Sequence, residues 1–513
     1  TYLFTNNQEI KNDVGNPIPI SKDTNTNSAS NPIHVATVGD VDVSFPVGAT
    51  SLFGELFATT LTPTIQLDAI HGYDPTQVQV FTSSGGSVDF SNNTFKCVTT
   101  SNVGSYAVAR SRNFNSFRSG ESLVGRWLVK FDAPANNTSQ RIGLNNQEQS
   151  LYIGYNGTSF GLAKDTGGRA PIYSVTVTSY SGAQTVTLTL NGVVYTISIA
   201  AGETINQATQ RIAQAVNGAV WLAQQRDNKV VLLNGTNAPT NGTFSITSSG
   251  NMVASVTQVQ AGVTSITTWY TDASDPDSKY FAPSWLDPTD YNSYAIKYVW
   301  PRAIFYAFNQ NTVQYEVIGK IVSTGSLPYR NPTFKIAALA INSGNTAIST
   351  DCVAMFAGVE GIEQRVTNTA GVATTQSTLA SGTLWHILSL QNPLVMNGQI
   401  HTQQCNPLDL TVSLQCNDPS EIFVFIDAPL ATGVHSFTTQ DNKSVTYSTV
   451  TGTIDATTNY PVLSFVVGTT GTTTQFNLTN YRVQLPPGAT LSIAALSSAT
   501  INKIAAAVTW HNV

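Results

Sequence analysis

Residues 173–199 alternate apolar and polar side chains, and this alternation restricts the fold more than any other pattern in the chain. Tyr173–Thr178 and Thr185–Leu190 alternate, Asn191-Gly192 reverses the chain, and Val193–Ile199 runs back. A period of two places successive side chains on opposite faces of a strand. Asn-Gly accepts the positive φ that a two-residue hairpin turn requires. The segment therefore predicts antiparallel β structure.

Short β-type runs separated by Gly, Asn and Ser turns continue through most of the chain. They include Gln77–Phe81, Ser105–Ala109, Leu123–Phe131, Leu151–Tyr155, Phe160–Ala163, Tyr294–Trp300, Ala303–Phe308, Val313–Ile318, Lys335–Ile341, Thr411–Leu414, Ile422–Ile426, Val462–Val467 and Ala505–Trp510. Asn156-Gly157 is a second hairpin signal between two of these runs. The segment 364–383 has the composition of a loop and linker.

One stretch has the period of a helix instead. Thr204 and Gln207 have the spacing of a capping box, and apolar residues recur on one face over 205–216. The sequence therefore predicts one helix within a small β-rich module, 172–263, which lies between two all-β stretches.

The 513 residues suggest about three domains. We expect a mainly β chain with two antiparallel β-sandwich (jelly-roll-like) domains, the first interrupted by the inserted β-rich module with one helix, plus an extended N-terminal arm. The expected bounds are 1–45 for the arm, 46–171 and 264–378 for the two parts of the first sandwich, 172–263 for the insertion and 379–513 for the second sandwich.

Charged side chains make up 11% of the chain, with 24 Lys and Arg against 30 Asp and Glu. Soluble proteins average about 25%, so this composition favours a surface shared with neighbouring subunits. The chain has no strongly basic stretch, which argues against nucleic-acid binding. It also has no run of about 18 apolar residues, which argues against membrane insertion. Thr1 is compatible with loss of an initiator methionine, and no signal peptide is expected.

The four cysteines are too few for a disulfide scaffold and have no metal-ligand spacing. Cys405 and Cys416 are the nearest pair, and ten residues between them would allow a hairpin bridge if they were oxidised. Buried free thiols are the commoner state in proteins made in the cytosol. No Gly-x-Ser-x-Gly elbow or phosphate-binding glycine loop is present, so nothing argues for catalysis or a cofactor.

Five basic residues lie close together in a region with few acids. They are Arg110, Arg112, Arg118, Arg126 and Lys130. Arginine binds carboxylates through a two-pronged guanidinium, which makes it a preferred residue at interfaces. We take these residues as a candidate subunit interface, with pairing inside the chain as the alternative.

Asp272, Asp275 and Asp277 form the densest acidic cluster and offer oxygens of the kind that Ca²⁺ binds. The cluster lacks the central Gly and terminal Glu of a known calcium loop, so an ordinary Asx turn is the favoured interpretation.

Glu360 and Glu363 are the one pair of carboxylates that suggests glycoside hydrolysis, which requires two acids across a cleft. A solvated edge paired with Arg365 is the favoured alternative.

Four aromatic residues are close enough in sequence to suggest a sugar-binding platform: Trp285, Tyr291, Tyr294 and Trp300. Alternation places Tyr294 and Trp300 on the same face of one strand, which is more typical of a core.

Several short stretches resemble virion structural proteins of tailed phages, including those of cyanobacteria and other marine hosts. They are Leu52–Leu56, Ala58–Thr64, Arg110–Phe114, Phe117–Ser122, Arg141–Gly143, Gly154–Gly161, Leu286–Thr289, Arg330–Thr333, Asn342–Thr346, Thr490–Ala494 and Val508–Trp510. The chain differs from this pattern at Phe57 and at Pro301-Arg302. The resemblance implies a fold and a setting rather than an activity.

Together these features predict a non-enzymatic virion structural protein that forms a symmetric homo-oligomer, with a trimer favoured, in the tail, baseplate or fibre or on the capsid. The protein would be made in the host cytoplasm and would attach to other virion proteins through its N-terminal arm. The alternative is a receptor-binding adhesin that recognises host surface glycan with its second sandwich. A polysaccharide-degrading enzyme using Glu360 and Glu363 is a third hypothesis.

Overall fold

The structure is a computed structural model that describes residues 61–512 except 71, 117–121, 147, 219, 236–241, 300–301, 323–332, 361–367, 440–444, 457–458 and 482. The predicted N-terminal arm, 1–45, lies outside the described residues. The fold is mainly β, with 60% strand and 4% helix, as the alternating pattern predicts. In the described part of the chain, no helix is long and apolar enough to cross a membrane.

The first sandwich contains strands from both sides of the insertion. Before it come β1 (Leu61–Asp68), β2 (Val78–Ser83), β3 (Ser87–Asp89), β4 (Phe95–Val98), β5 (Ser105–Ser111), β6 (Asn115–Ser116), β7 (Ser122–Phe131), β8 (Thr138–Asn145), β9 (Ser150–Asn156) and β10 (Ser159–Thr166). The insertion holds β11 (Ile172–Ser179), β12 (Gln184–Leu190), β13 (Val193–Ile199), α1 (Ile205–Val216), β14 (Trp221–Arg226), β15 (Lys229–Asn234), β16 (Phe244–Ser248) and β17 (Val253–Gln260). After it come β18 (Ile266–Tyr270), β19 (Lys279–Tyr280), β20 (Asn292–Val299), β21 (Arg302–Asn309), β22 (Gln314–Val322), β23 (Thr333–Asn342) and β24 (Ser349–Glu360).

Two antiparallel sheets form the first sandwich. The back sheet has the order β19-β22-β21-β20-β7-β24-β4-β3, with β1 beside β24. The front sheet has the order β18-β10-β9-β8-β23-β5-β2, with β6 beside β23. Large side chains fill the space between the sheets, among them Trp127, Phe131, Tyr294, Phe305 and Phe334. Because side chains alternate along each strand, the residues between these core positions lie on the outer face of each sheet.

The two Asn-Gly pairs form different hairpins. Asn191 and Gly192 both have positive φ and connect Leu190 to its partner Val193, as predicted. At the other hairpin Asn156 pairs with Ser159, so Gly157 and the residue after it form the loop. Of the two residues in Asn156-Gly157, only Gly157 has a positive φ, and this turn lies one residue later than the sequence predicts.

The insertion packs its helix against two small sheets, with the strand orders β14-β15-β11-β17 and β13-β12-β16. Helix α1 has the predicted bounds, and both capping-box hydrogen bonds form. The Gln207 amide donates to Thr204 Oγ1 at 3.2 Å, and the Thr204 amide donates to Gln207 Oε1 at 2.8 Å. Ala208, Ile212 and Val216 lie on the buried face of the helix, as the period of the sequence predicts.

The second sandwich follows directly. Its strands are β25 (Asn368–Leu379), β26 (Trp385–Gln391), β27 (Val395–Met396), β28 (Gln399–Ile400), β29 (Cys405–Cys416), β30 (Ser420–Ile426), β31 (Leu430–Thr432), β32 (Thr438–Thr439), β33 (Thr446–Ser448), β34 (Thr453–Ile454), β35 (Leu463–Val467), β36 (Thr473–Asn477), β37 (Thr490–Ser497) and β38 (Ile501–Asn512), with a 3₁₀ turn at Leu478–Tyr481. One sheet has the order β25-β38-β29-β36, and the other has β31-β34-β26-β37-β30-β35, with β33 beside β26 and β32 beside β33.

One sequence prediction fails in this sandwich, and one is confirmed. Residues 368–379 of the predicted linker form β25, which pairs with β38 along almost all of its length. The segment has the small, polar composition of a linker, but its Thr and Val residues also favour strands. Cys405 and Cys416 are free and buried, as the sequence favours. They occupy the two ends of β29, about 35 Å apart at the rise of a strand, which excludes the alternative of a bridge between them.

Candidate functional site

The outer face of the front sheet carries large polar and aromatic side chains. Strand registers place the following residues on it, from β18 across to β2: Thr267, Trp269, Asp165, Ser150, Tyr152, Asn145, Arg141, Lys335, Leu339, Tyr106, Val108, Arg110, Gln79 and Phe81. Several of these side chains are largely buried although they lie outside the main core. The face is therefore a structured surface with its own packing.

A cleft of about 320 Å³ opens on this face. Its main lining residues from the front sheet are Phe81, Tyr106, Arg110, Arg141, Asn145, Ser150, Tyr152, Asp165 and Thr267. Gly235, Thr264 and Ser265, from the chain segments of the insertion and its return to β18, line the other side. Ligand pockets range from roughly 300 to 1,000 Å³, so this outer-face cleft has room for a small ligand.

Glycine at position 143 allows the sheet to hold Tyr152 in the cleft. A Cβ atom on Gly143 would lie 2.0 Å from the Leu151 carbonyl oxygen and 2.8 Å from Cδ1 of Tyr152. Any side chain would therefore push β8 away from β9 or displace the ring. The Tyr152 hydroxyl also accepts a hydrogen bond from Asn145 Nδ2, which fixes the ring from its other end.

Arg141 stacks between two aromatic rings. Its Cζ lies 5.4 Å from the ring centre of Tyr152 and 5.1 Å from that of Trp269. Its Nε donates to Ser139 Oγ at 2.6 Å, and its Nη1 lies 4.0 Å from Asp165 Oδ1. Such stacking holds the guanidinium flat and directs its remaining N–H groups sideways.

Asp165 is the acidic residue of the cleft. Its Oδ1 accepts a hydrogen bond from Thr267 Oγ1 at 2.7 Å. Burial raises the pKa of its carboxyl group, and this outweighs the opposing effects of Arg141 and of hydrogen bonds from Thr267 and Ser150.

Arg110 is 3% exposed and packs flat on Phe81, with its Cζ 4.2 Å from the ring centre. Its Nε donates to Gln79 Oε1 at 3.3 Å. Burial lowers the pKa of Arg110 to about 9, which still leaves the guanidinium charged at neutral pH. A charged group therefore lines the cleft with little contact with bulk water.

Lys335 lies beside Arg110 on the same face. Its Nζ donates to the same Gln79 Oε1 at 2.8 Å and lies 4.5 Å from the ring centre of Phe114. Burial, followed by the neighbouring charges of Arg110 and Arg112, holds the pKa of this lysine well below its usual range. A single amide oxygen thus accepts hydrogen bonds from two buried basic side chains.

The structure separates the basic residues that the sequence grouped. Arg110 lines the outer-face cleft, Arg112 contacts the second sandwich, and Arg126 and Lys130 lie on the outer face of the back sheet. Arg118 lies outside the described residues. These side chains do not form one patch, and their role in subunit contacts stays a prediction.

Arg112 forms an ion pair with Asp427, so for this residue the intrachain alternative is correct. The pair borders a cavity of about 690 Å³ where the first sandwich, the insertion and the second sandwich meet. Gln210 and the buried His435 also line this cavity. Because Arg112 is neutralised there, the cavity lacks the free charge that the outer-face cleft has.

Arg126 and Lys130 lie over aromatic rings on the outer face of the back sheet. Arg126 Cζ lies 5.5 Å from the ring centre of Tyr315, and Lys130 Nζ lies 5.9 Å from that of Tyr291. Leu128, between them on β7, is 38% exposed. This face offers aromatic, aliphatic and cationic groups to solvent.

The acidic cluster forms turns. Asp272 Oδ1 accepts from the Ser274 amide at 2.9 Å, and Asp275 Oδ1 accepts from the amides of Asp277 and Ser278 at 2.8 and 2.9 Å. These are the Asx turns that the sequence favoured over a calcium loop. Within the described ranges, no group of three or more potential metal-ligating side chains occurs.

Of the proposed glycosidase pair, Glu360 lies within the described residues, and Glu363 and its possible partner Arg365 lie outside them. Glu360 forms an ion pair with Lys297 at 2.5 Å and accepts a hydrogen bond from Ser122 Oγ at 2.9 Å. The Glu360 carboxylate is therefore neutralised by a lysine, and its pairing with Glu363 stays a hypothesis.

The four residues of the predicted aromatic platform do not share one surface. Tyr294 is in the core, as its alternation predicts, and Trp285 packs partly buried against that core. Tyr291 is exposed on the back sheet, and Trp300 lies outside the described residues. The aromatic residues of the outer-face cleft were not singled out from the sequence, although alternation in Leu151–Tyr155 separates Tyr152 from its core-facing neighbours.

The fold and the cleft define this chain as a β-sandwich protein with a polar, aromatic cleft on the outer face of one sheet. No family model matches the chain, and no curated protein matches it. Solved structures with similar segments include the Emp47p carbohydrate recognition domain, which is 10% identical in sequence. The match covers 59% of this chain and 97% of that chain, with a TM-score of 0.26. The basic winged bean lectin with Tn-antigen has 10% identity, coverages of 57% and 98%, and a TM-score of 0.25. The legume lectin-like domain from Entamoeba histolytica has 7% identity, coverages of 55% and 89%, and a TM-score of 0.23.

At these identities and TM-scores the solved structures assign neither a family nor a ligand to the chain. The β-sandwich architecture rests on the strand pairings of the chain itself.

Proposed function

We propose that this chain is a non-enzymatic, glycan-binding protein of the adhesin class, with the outer-face cleft as its saccharide site. The observation that carries the proposal is the composition of that cleft. Three aromatic rings share about 320 Å³ with two guanidinium groups, a carboxylate, an amide and several hydroxyls.

A saccharide presents apolar C–H faces and a ring of hydroxyl groups. Aromatic side chains pack against the former, and planar polar side chains with several donors or acceptors bind the latter. Phe81, Tyr106 and Tyr152 supply the rings, while Arg110 and Arg141 supply donors. This combination of an apolar lining with a few fixed polar groups is typical of small-molecule sites.

Binding without hydrolysis is the chemistry that these residues favour. Glycoside hydrolysis generally uses two carboxyl groups roughly 5 to 9.5 Å apart. Among the described residues that line the cleft, Asp165 is the one acidic side chain. A bound sugar would therefore meet one carboxylate, already hydrogen-bonded to Thr267.

A glycan array probed with the full chain tests this proposal. We expect binding to at least one saccharide class, and we expect Tyr106→Ala to weaken that binding by about tenfold or more, because half-buried Tyr106 loses its stacking surface in the cleft. Tyr315→Ala, on the outer face of the back sheet, is the matched control and should bind as the parent does. A flat array, or equal losses in both variants, would overturn the proposal.

Assembly as a virion structural protein is a second candidate function. The specific observation in its favour is the outer face of the back sheet, where aromatic, aliphatic and cationic side chains are exposed together: Arg126, Leu128, Lys130, Tyr291 and Tyr315. Tyr and Arg are enriched in protein interfaces. The low charge content and the resemblance to tailed-phage virion proteins also support it. In this proposal a second copy of the chain covers the back sheet, and the oligomer, with a trimer favoured, forms part of the particle.

The mass of the full chain in solution, measured by light scattering over a range of concentrations, tests this second function. Leu128→Glu would place a charge in the centre of the contact and should convert an oligomer to a monomer. Val103→Glu, at a 72% exposed residue outside the strands, is the control. A parent protein that stays monomeric at high concentration would contradict self-assembly through this face.

A further inference from the structure

We infer that the outer-face cleft selects anionic saccharides, with a carboxylate or sulfate group of the sugar bound between Arg110 and Arg141. The inference rests on the proposed saccharide binding and adds the chemical class of the ligand. A second, independent consideration supports it: the cleft buries more positive charge than its own acids neutralise.

Arg110 has no acidic partner in the described structure. Within the described ranges, its guanidinium donates one hydrogen bond, from Nε to Gln79, and stacks on Phe81. Its two terminal nitrogens have no protein acceptor there, although the side chain is 3% exposed. Burying a charge without a counter-ion is strongly unfavourable, so such a group in a cleft indicates that an anion completes the site.

Arg141 is only weakly neutralised. Its Nε donates to Ser139, and its nearest acid, Asp165, lies 4.0 Å away, beyond hydrogen-bond distance. The terminal N–H groups of Arg141 are therefore available to a ligand, in the plane set by Tyr152 and Trp269.

The two arginines are placed to contact one ligand. Arg141 is on β8 and Arg110 is on β5, and β23 lies between these strands. Arg141 is opposite Leu339 and Arg110 is opposite Ala337, so their Cα atoms are about 12 Å apart at ordinary strand spacing and rise. Both long side chains line the same cleft. A guanidinium binds a carboxylate or sulfate through two parallel N–H groups, a geometry that neutral hydroxyls cannot match in strength.

Lys335 lies next to Arg110 and adds to this selectivity. It shares Gln79 Oε1 with Arg110, and its depressed pKa reflects burial and the two nearby arginine charges. A bound anion would offset those charges and favour the protonated lysine.

Calorimetric titration of the full chain with three matched oligosaccharides tests the inference. One has only neutral sugars, one contains uronic acid, and one carries sulfate. We expect the two charged ligands to bind about tenfold or more tightly than the neutral one, with affinities that fall as salt rises. The sulfate and uronate arms distinguish the two sources of anionic oxygen.

Arg110→Gln and Arg141→Gln should each weaken binding of the charged ligands by about tenfold or more, and by clearly more than they weaken binding of the neutral ligand, because only the charged ligands lose an ionic hydrogen-bond pair. Arg126→Gln, on the opposite outer face, is the control and should retain the preference. Thermal unfolding of each variant checks that the chain is folded. Equal binding of neutral and charged ligands by the parent overturns the selectivity while leaving glycan binding intact. Absence of binding to all three ligands and to the array overturns glycan binding itself.

Discussion

The two outer faces of the first sandwich use the same residue types in opposite ways. On the front sheet, Arg110 and Arg141 are packed against rings and closed off from most solvent. On the back sheet, Arg126 and Lys130 extend over rings that are themselves exposed. Both faces pair cations with aromatic groups, and on the front sheet these groups line a cleft.

The difference follows from what lies above each sheet. Gly235 of the insertion, together with Thr264 and Ser265 of the segment that leads from the insertion to β18, lines one wall of the cleft. In the described structure, the chain places no such wall over Arg126, Leu128 and Lys130. A covered face can hold a ligand by burial and fixed donors, whereas an open face can gain comparable burial only from another macromolecule.

The largest effect is expected from Gly143→Ala, which would break the front face alone. The new Cβ would lie 2.0 Å from the Leu151 carbonyl oxygen, a backbone atom that cannot move without separating β8 from β9. We expect the free energy of unfolding to fall by about 3 kcal/mol. Chemical denaturation measures this, with Gly218→Ala as the control because its nearest contact is at 3.9 Å. A loss of similar size at both positions would argue against the close approach.

The second expected effect is a gain in stability rather than a loss. Arg110→Met removes a buried cation that has no acidic partner in the described structure and replaces it with an apolar chain of similar length. We expect the unliganded protein to gain about 1 kcal/mol in stability, because desolvation of the charge is relieved. Arg126→Met, at an exposed cation, should change stability by less than about 0.5 kcal/mol.

Loss of stability in Arg110→Met, measured by the same denaturation experiment, would show that the guanidinium has a structural counter-charge after all. A gain in stability together with a loss of glycan binding would instead indicate a residue kept for function at the expense of the fold.

The fold was largely predictable because its signals are local. Period-two alternation, one capping box and the Asn191-Gly192 turn each fix structure within a few residues. The errors occur where a local pattern has two interpretations. Segment 364–383 has linker composition and strand preference together, and only its pairing with β38 decides between them.

The site was less predictable because its residues come from strands far apart in sequence. Arg110 was noted for its charge, but its neighbours Gln79 and Lys335 come from strands β2 and β23. The adhesin hypothesis placed the binding head in the second sandwich, whereas the proposed cleft is in the first. Sequence order does not reveal which strands become neighbours in an antiparallel sheet with long crossovers.

A third, smaller effect concerns the pH dependence of stability, and it again arises on the front sheet. Burial raises the pKa of Asp165 above its ordinary value of 3.8, so the folded state favours the protonated acid. Its contribution to stability is complete below that ordinary value and is lost as pH rises through the raised, folded-state pKa.

Thermal unfolding of the parent and of Asp165→Asn across acidic to neutral pH measures this effect. The variant keeps an oxygen that accepts from Thr267 and should lack the decline in stability. Parallel pH profiles for the two proteins would contradict the buried-acid account.

The smallest effect is expected on the back sheet. Arg126→Gln and Lys130→Gln remove cations that lie over exposed rings, and such contacts contribute about 0.5 to 1 kcal/mol at most in solvent. If the chain acts as a monomer, each variant should unfold within about 0.5 kcal/mol of the parent at every protein concentration. If a second copy covers this face, the losses should grow with concentration, because the parent gains stability from association and the variants do not. Denaturation at two widely separated concentrations therefore decides whether the open face is a surface or an interface.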